Sequence, residues 1–145
     1  MYSIPVEADP VRMYLTAVQA MLDAGAVYVQ HRWYRMVSEV EYPRYAERAA
    51  DAQMIGWYGN DRPDGEPYAA CRYWYLIQDR AFKAVAKFYQ SAGVVFPDTA
   101  LGIKAKLRDQ KLLFPGSGRP FDYRMSATLP RVLRIVKPFV AADEG

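Results

Sequence analysis

Apolar positions near the start of the chain recur at roughly helical spacing: Met13, Leu15, Val18, Met21 and Leu22 follow Asp9-Pro10 and stop at Gly25. Aspartate caps the free N–H groups of a first turn, proline at the first helical position has no N–H to leave unsatisfied, and glycine ends helices. The pattern predicts a helix over 10–24. Ala26-Val27-Tyr28-Val29 then favours a short strand. Residues 32–53 mix Trp33, Tyr34 and Met36 with a Glu/Arg-rich run, and their pattern settles on neither period.

Further on the periods separate cleanly. Met54-Ile55-Gly56-Trp57-Tyr58 and Tyr73-Trp74-Tyr75-Leu76-Ile77 read as two strands of a hairpin, joined through the turn formers Gly59-Asn60-Asp61-Arg62-Pro63-Asp64-Gly65. A second helix is expected from about 79 to 91, with Ala81, Phe82, Val85, Ala86 and Tyr89 as its apolar stripe and Lys83 and Lys87 towards solvent. A third is expected from about 98 to 111 after Pro97-Asp98-Thr99, with Ile103 and Leu107 inward. Leu112-Leu113-Phe114, residues 121–127 and residues 131–136 are strand candidates around the loop Pro115-Gly116-Ser117-Gly118-Arg119-Pro120, and 138–145 reads as a tail.

From residue 73 to 137 the order is therefore strand, helix, helix, strand, loop, strand, with the 10–24 helix available as the missing first helix. This is the element order of an α+β fold, a winged helix-turn-helix with an inserted hairpin and irregular segment (25–72) between the first helix and the 73–137 core. One domain accounts for all 145 residues, and 52% hydrophobic content is enough for a core.

Charge sharpens this picture. Residues 1–98 carry ten Lys/Arg against twelve Asp/Glu, whereas residues 99–142 carry nine against two, a local net of +7. The basic patch coincides with the third helix and the loop after it, where a winged helix touches nucleic acid. Candidate contacts are Thr99, Lys104, Lys106, Arg108, Lys111, Arg119, Arg124, Arg131 and Arg134. The competing reading is an ordinary solvated face. Arg131 and Arg134 have opposite strand parity and should not share a face.

Other chemistry is sparse. One cysteine, Cys71, and one histidine, His31, cannot build a disulfide or a Cys/His zinc cluster, and no cofactor is expected. Cys71 reads as a buried thiol and His31 as an exposed or hydrogen-bonded side chain, because neither has a partner set for catalysis. Asp61, Asp64 and Glu66 lack calcium-loop spacing and read as a solvated turn. Tyr73, Trp74 and Tyr75 suggest a stacking platform for single strands, but alternation sends Trp74 to the opposite face, so packing is the stronger reading; the same holds for Trp33-Tyr34 and Trp57-Tyr58. No apolar run is long enough to span a membrane, and the first ten residues have no basic region leading into an apolar one, so a cytoplasmic protein is expected.

Several pieces together resemble a known family: the helix from Leu15 to Gly25, Ile55-Gly56-Trp57 before a polar turn, Tyr75-Leu76 before an Ala/Phe-rich helix, Leu107 followed by Leu112-Leu113, and Arg131-Val132-Leu133-Arg134-Ile135. They resemble the C-terminal winged-helix-like region that follows the ATPase domain in primase-helicase-type proteins of phages, plasmids and integrative elements, over most of residues 10–137. Where that family often has glycine before the double leucine, this chain has Lys111, and Gly102 interrupts the third helix. No Gly-x-x-x-x-Gly-Lys-Ser/Thr loop is present, so ATP hydrolysis by that route is excluded. The resemblance implies a non-catalytic, DNA-binding module of a mobile-element replication protein, with single- or double-stranded DNA left open. The alternative is a protein-interaction or oligomerisation module working with a parent or partner ATPase or helicase.

Overall fold

Asp9 and Pro10 start the first helix as the sequence predicts: the Asp9 carboxylate accepts from the Val11 N–H at 3.0 Å, and the helix α1 runs Pro10–Ala24 before Gly25 closes it at φ 77°. The computed structural model describes residues 9–33, 44–45, 51–126 and 128–138. Most of the ambiguous 32–53 stretch, Tyr34 and the final seven residues of the tail lie outside them. After α1 come β1 (Val27–His31), β2 (Arg44–Tyr45), β3 (Gln53–Gly59), a 3₁₀ turn at Tyr68–Ala70, β4 (Tyr73–Leu76), α2 (Gln78–Ser91), α3 (Ala100–Asp109), β5 (Tyr123–Arg124) and β6 (Arg131–Val136). The fold is mixed α+β.

The strands form a sheet in the order β2-β1-β3-β4-β6-β5, in which β1 and β3 are parallel and the other neighbours antiparallel. The expected hairpin of β3 and β4 is present, with Trp57 opposite Tyr75 and Tyr58 opposite Trp74. The 25–72 segment is no appendage: β1, β2 and β3 continue the same sheet as β4 and β6.

Alternation along the strands sorts side chains into two cores. Val27 and Val29 of β1, Trp74 and Leu76 of β4 and Leu133 and Ile135 of β6 pack with Tyr14, Val18 and Leu22 of α1, Ala81 and Val85 of α2 and Ile103 and Leu107 of α3. Trp57, Tyr75 and Val132 form a smaller cluster with Tyr73, Tyr123, Met125 and Leu129. A bulge in β3 makes both cores possible. Tyr28 pairs with Met54 but Val29 pairs with Gly56, so Ile55 is the extra residue. The bulge puts Ile55 and Tyr58 in the helix-side core and Met54 and Trp57 in the other. The Ile55 carbonyl there accepts from the Ile77 N–H at 2.8 Å, and a Cβ at Gly56 would overlap the Tyr75 carbonyl.

The C-terminal elements are shorter than the sequence suggests. The helix expected over 98–111 is confined to Ala100–Asp109, because Thr99 is its cap: the Thr99 hydroxyl accepts from the Gly102 N–H at 3.0 Å. Gly102 therefore lies in the first turn, not mid-helix, and the Asp98 carboxylate occupies the space a Cβ would fill. The strand expected at 112–114 reduces to one bridge, Leu113 opposite Ile135, and that expected at 121–127 to the two residues of β5.

Lys111 has φ 62°, a left-handed conformation that costs a residue with a Cβ about 1 kcal/mol relative to glycine. Its N–H bonds the Arg108 carbonyl, and that of Leu112 bonds Leu107, so the turn leads directly into the Leu113 bridge. Lys111→Gly should raise stability by about 0.5–1 kcal/mol, measured as an increase in the urea midpoint at unchanged slope.

Candidate nucleic-acid interface

The exposed side of α3 follows from its period. Ile103 and Leu107 are fully buried, and Leu101, Lys104 and Arg108, at i, i+3 and i+7, share one stripe flanking that buried side, with Leu101 and Arg108 exposed and Lys104 half-buried. Lys106 lies off this stripe and binds Asp98, Nζ to Oδ2, at 2.5 Å. The other Asp98 oxygen accepts from the Thr99 N–H at 2.8 Å. Thr99 and Lys106 thus build the start of the helix, whereas Lys104 and Arg108 extend towards the segment 114–131. They meet it at Phe121, whose ring centroid lies 5.3 Å from the Lys104 ammonium and 5.8 Å from the Arg108 guanidinium.

Beside Phe121 the chain makes a tight loop. The Gly116 N–H bonds the Asp122 carbonyl at 2.8 Å, the Arg119 N–H bonds the Gly116 carbonyl at 3.0 Å, and Gly118 has φ 74°. The loop and the β5–β6 pair enclose a concavity of about 370 Å³ lined by Gly116, Ser117, Arg119, Asp122, Tyr123, Arg124 and Arg131. Three arginines and one aspartate are among its lining residues. Arg124 and Arg131 are direct cross-strand partners, and both are exposed. Like charges directly opposite one another destabilise a sheet, and an anion placed between them removes the repulsion. Lys104, Arg108, Arg119, Arg124 and Arg131 therefore form one surface, continuous through Phe121 and Asp122, suited to phosphate oxygens.

Arg134 belongs elsewhere. As its parity requires, it points to the face opposite the helices: its Nε donates to the Phe114 carbonyl at 3.0 Å, its Nη1 donates to Asp61 Oδ2 at 2.6 Å, and its guanidinium lies 3.9 Å from the Tyr123 ring centroid. Asp61 also holds Arg32, which sequence reasoning did not single out. Arg32 Nη1 donates to Asp61 Oδ1 at 3.3 Å and to the Tyr75 hydroxyl at 3.0 Å, and that hydroxyl donates to Asp61 Oδ1 at 2.9 Å. The Arg32 side chain is only 6% exposed and is flanked by the rings of Trp33, Tyr75 and Tyr123. The three charged residues are separated by 29 and 73 positions in sequence, so no local motif signals the cluster.

The remaining candidates are structural. Trp74 is buried among the helices with its Nε1 donating to the Tyr68 hydroxyl at 2.8 Å, and Tyr75 is fully buried on the other side, so the aromatic triplet offers no open platform. His31 is buried, its Nδ1 accepts from the Trp33 N–H at 3.0 Å, and burial holds its pKa below the usual histidine value. Burial pushes the Cys71 thiol up to about 12, far from nucleophilic use at neutral pH. Asp64 accepts from the Asn60 side chain and the Glu66 N–H, organising the turn. No group of three or more His, Cys, Asp or Glu among the described residues is placed to hold a metal ion. None of the helices among them is long and apolar enough to cross a membrane.

Lys137, part of the basic count, contributes nothing to the surface. It is 5% exposed, its Nζ donates to the Tyr68 carbonyl, and it lies 3.7 Å from the centre of the Tyr68 ring. Burial pushes its pKa down to about 8 from 10.5. Between those values the unfolded chain binds the proton that the folded chain has released, so this group makes stability rise with pH across the window and is most unfavourable below pH 8. Lys137→Met should therefore gain most over the parent below pH 8. The gap should narrow by an amount on the order of 3 kcal/mol as pH rises to 10.5, checked by urea midpoints of both proteins at matched pH.

Comparisons with protein-family models, with curated proteins and with solved structures find no match to this chain, so its function is argued from its own residues.

Proposed function

We propose that the chain is a nucleic-acid-binding module of the winged-helix type, non-catalytic by itself, that holds DNA through the outward side of α3 and the 116–131 loop. The observation that carries this reading is the placement of Arg124 opposite Arg131, with Arg119 across the same concavity and Lys104 and Arg108 joined to it through Phe121. A protein gains nothing in stability from two opposed, exposed arginines; a phosphodiester backbone does gain from them, by counterion release and charge-assisted hydrogen bonds.

The order and pairing of the elements support this reading. α1, α2 and α3 lie over a sheet in which β4 pairs with β6 and β6 meets Leu113, and the basic loop emerges between Leu113 and β6, beside α3. In such a fold the third helix and that loop are the elements that reach nucleic acid. The left-handed backbone at Lys111, where the primase-helicase-type family often carries glycine, supports the resemblance to that family's C-terminal region. A role in mobile-element DNA replication rests on the resemblance alone. A second reading, a docking module for a partner ATPase, is favoured by a separate concavity of about 600 Å³ lined by Met21 of α1, Val27 of β1, and Ala84 and Phe88 of α2.

Fluorescence anisotropy of labelled single- and double-stranded DNA across a salt series tests the proposal. Binding should weaken with salt, and Arg119→Ala/Arg124→Ala should flatten the slope of log K against log salt on duplex DNA by about 1.8, two phosphate contacts' worth. Both residues are exposed and Arg124 faces a like charge, so the variant should retain parental stability. Absence of binding to either strand form at low salt overturns the proposal in favour of the docking module.

A further inference from the structure

Among the described residues, the large hydrophobic side chains left exposed are Val95, at 83%, and Leu101, at 64%. Both belong to the same corner of the molecule, the turn between α2 and α3 and the first turn of α3. Their neighbours in sequence behave differently: Phe96 is buried against Tyr14, Phe82 and Tyr89. The turn therefore buries one apolar side chain to anchor itself and leaves the flanking two in water.

Leu101 is held in a fixed position. The Thr99 cap, the Asp98–Lys106 ion pair spanning two turns, and the contact of Asp98 with Gly102 define the first turn of α3. On the same stripe as Leu101 stand Lys104, half-buried, and Arg108, exposed, one and two turns further along. An exposed leucine at the start of a stripe that continues into two cations is complementary to a surface with apolar groups between two lines of negative charge. The major groove of duplex DNA is such a surface, since the thymine C5-methyl group is its apolar feature and the phosphates flank it. In helix-turn-helix docking the N-terminal residues of the second helix reach the base edges.

We propose that Leu101 contacts thymine methyl groups in the major groove, so that the module prefers thymine-bearing duplex DNA, with Lys104 and Arg108 on the adjacent phosphates. This rests on the nucleic-acid reading of α3 and adds to it the strand form and a base-reading residue. Single-stranded DNA offers no groove to position the methyl group against a helix, and the surface chemistry favours the duplex accordingly.

Replacing thymine by deoxyuridine removes only the methyl group and leaves charge and base pairing in place, so the experiment compares duplexes of poly(dA)·poly(dT) and poly(dA)·poly(dU) by anisotropy, using the full chain and Leu101→Ala. The expected result is about fourfold tighter binding of the thymine duplex per methyl contacted, the worth of one buried methylene-sized group. Leu101→Ala should lose that preference while keeping the salt slope of the parent. Equal affinity for the two duplexes, with salt-dependent binding of both, overturns the thymine proposal and leaves the nucleic-acid reading standing. A preference that survives in Leu101→Ala also overturns it, assigning the discrimination to duplex shape. Failure to bind either duplex at low salt overturns both.

Discussion

Strand β4 is buried on both sides, and the architecture is organised around that constraint. Trp74 and Leu76 are covered by the three helices, which is the usual fate of one sheet face. Among the described residues no helix covers Tyr73 and Tyr75 on the other face, and Tyr75 is nevertheless fully buried. Among the described residues Trp57, Tyr123 and Arg32 pack around it, and Arg134 lies over Tyr123, so two arginines bring charge into an apolar layer. Burying a guanidinium is unfavourable unless its charge and its donors find partners. Asp61 supplies the charge for both, the Tyr75 hydroxyl and the Phe114 carbonyl take further donors, and aromatic faces surround the rest. One carboxylate thus ties the end of β1, the β3–β4 turn and β6 together over the Tyr75 ring.

This arrangement bears directly on the basic surface. Arg134 is moored to Asp61 and lies over the Tyr123 ring, so the β5–β6 pair is held in place, and with it Arg124 and Arg131 are presented outward in register. Stability is given up in small amounts at two points: two like charges opposed across a ladder, and a lysine in a left-handed backbone at the exit of α3. The first of these lies on the surface proposed to bind phosphate, where an anionic partner offsets it. Lys137, by contrast, is a cation withdrawn from that surface into the helix side of the sheet's end, where burial lowers its pKa and it adds nothing to the interface.

Local chemistry made much of this legible from the sequence. Asp9-Pro10 and Gly25 mark the ends of α1, the Ala81/Val85 and Ile103/Leu107 pairs mark the buried sides of α2 and α3, and strand parity separates Arg131 from Arg134 and Trp74 from its neighbours. Hidden from it were the features that depend on pairing between distant segments. No local pattern says that β1 lies parallel to β3, or that 25–72 joins the central sheet, because register is decided by which faces find a cover. The Asp61 cluster is invisible for the same reason: Asp61 sits in a run of turn formers that reads as solvated, and only the fold brings Arg32 and Arg134 to it. Gly102 reads as a mid-helix weakness until Thr99 is known to be the cap, after which Asp98 explains why no side chain fits there.

The central claim is that α3 and the 116–131 loop act as a single phosphate-binding surface. Backbone amide chemical-shift perturbation by NMR, with unlabelled duplex DNA titrated into the 15N-labelled chain, tests it most directly. The account predicts that the shifts concentrate on Leu101, Lys104, Arg108 and the loop residues Ser117, Arg119, Arg124 and Arg131, with little change in α1 or at Arg32. Shifts confined to the concavity between α1 and α2, or spread evenly over the basic residues of the whole chain, would contradict it.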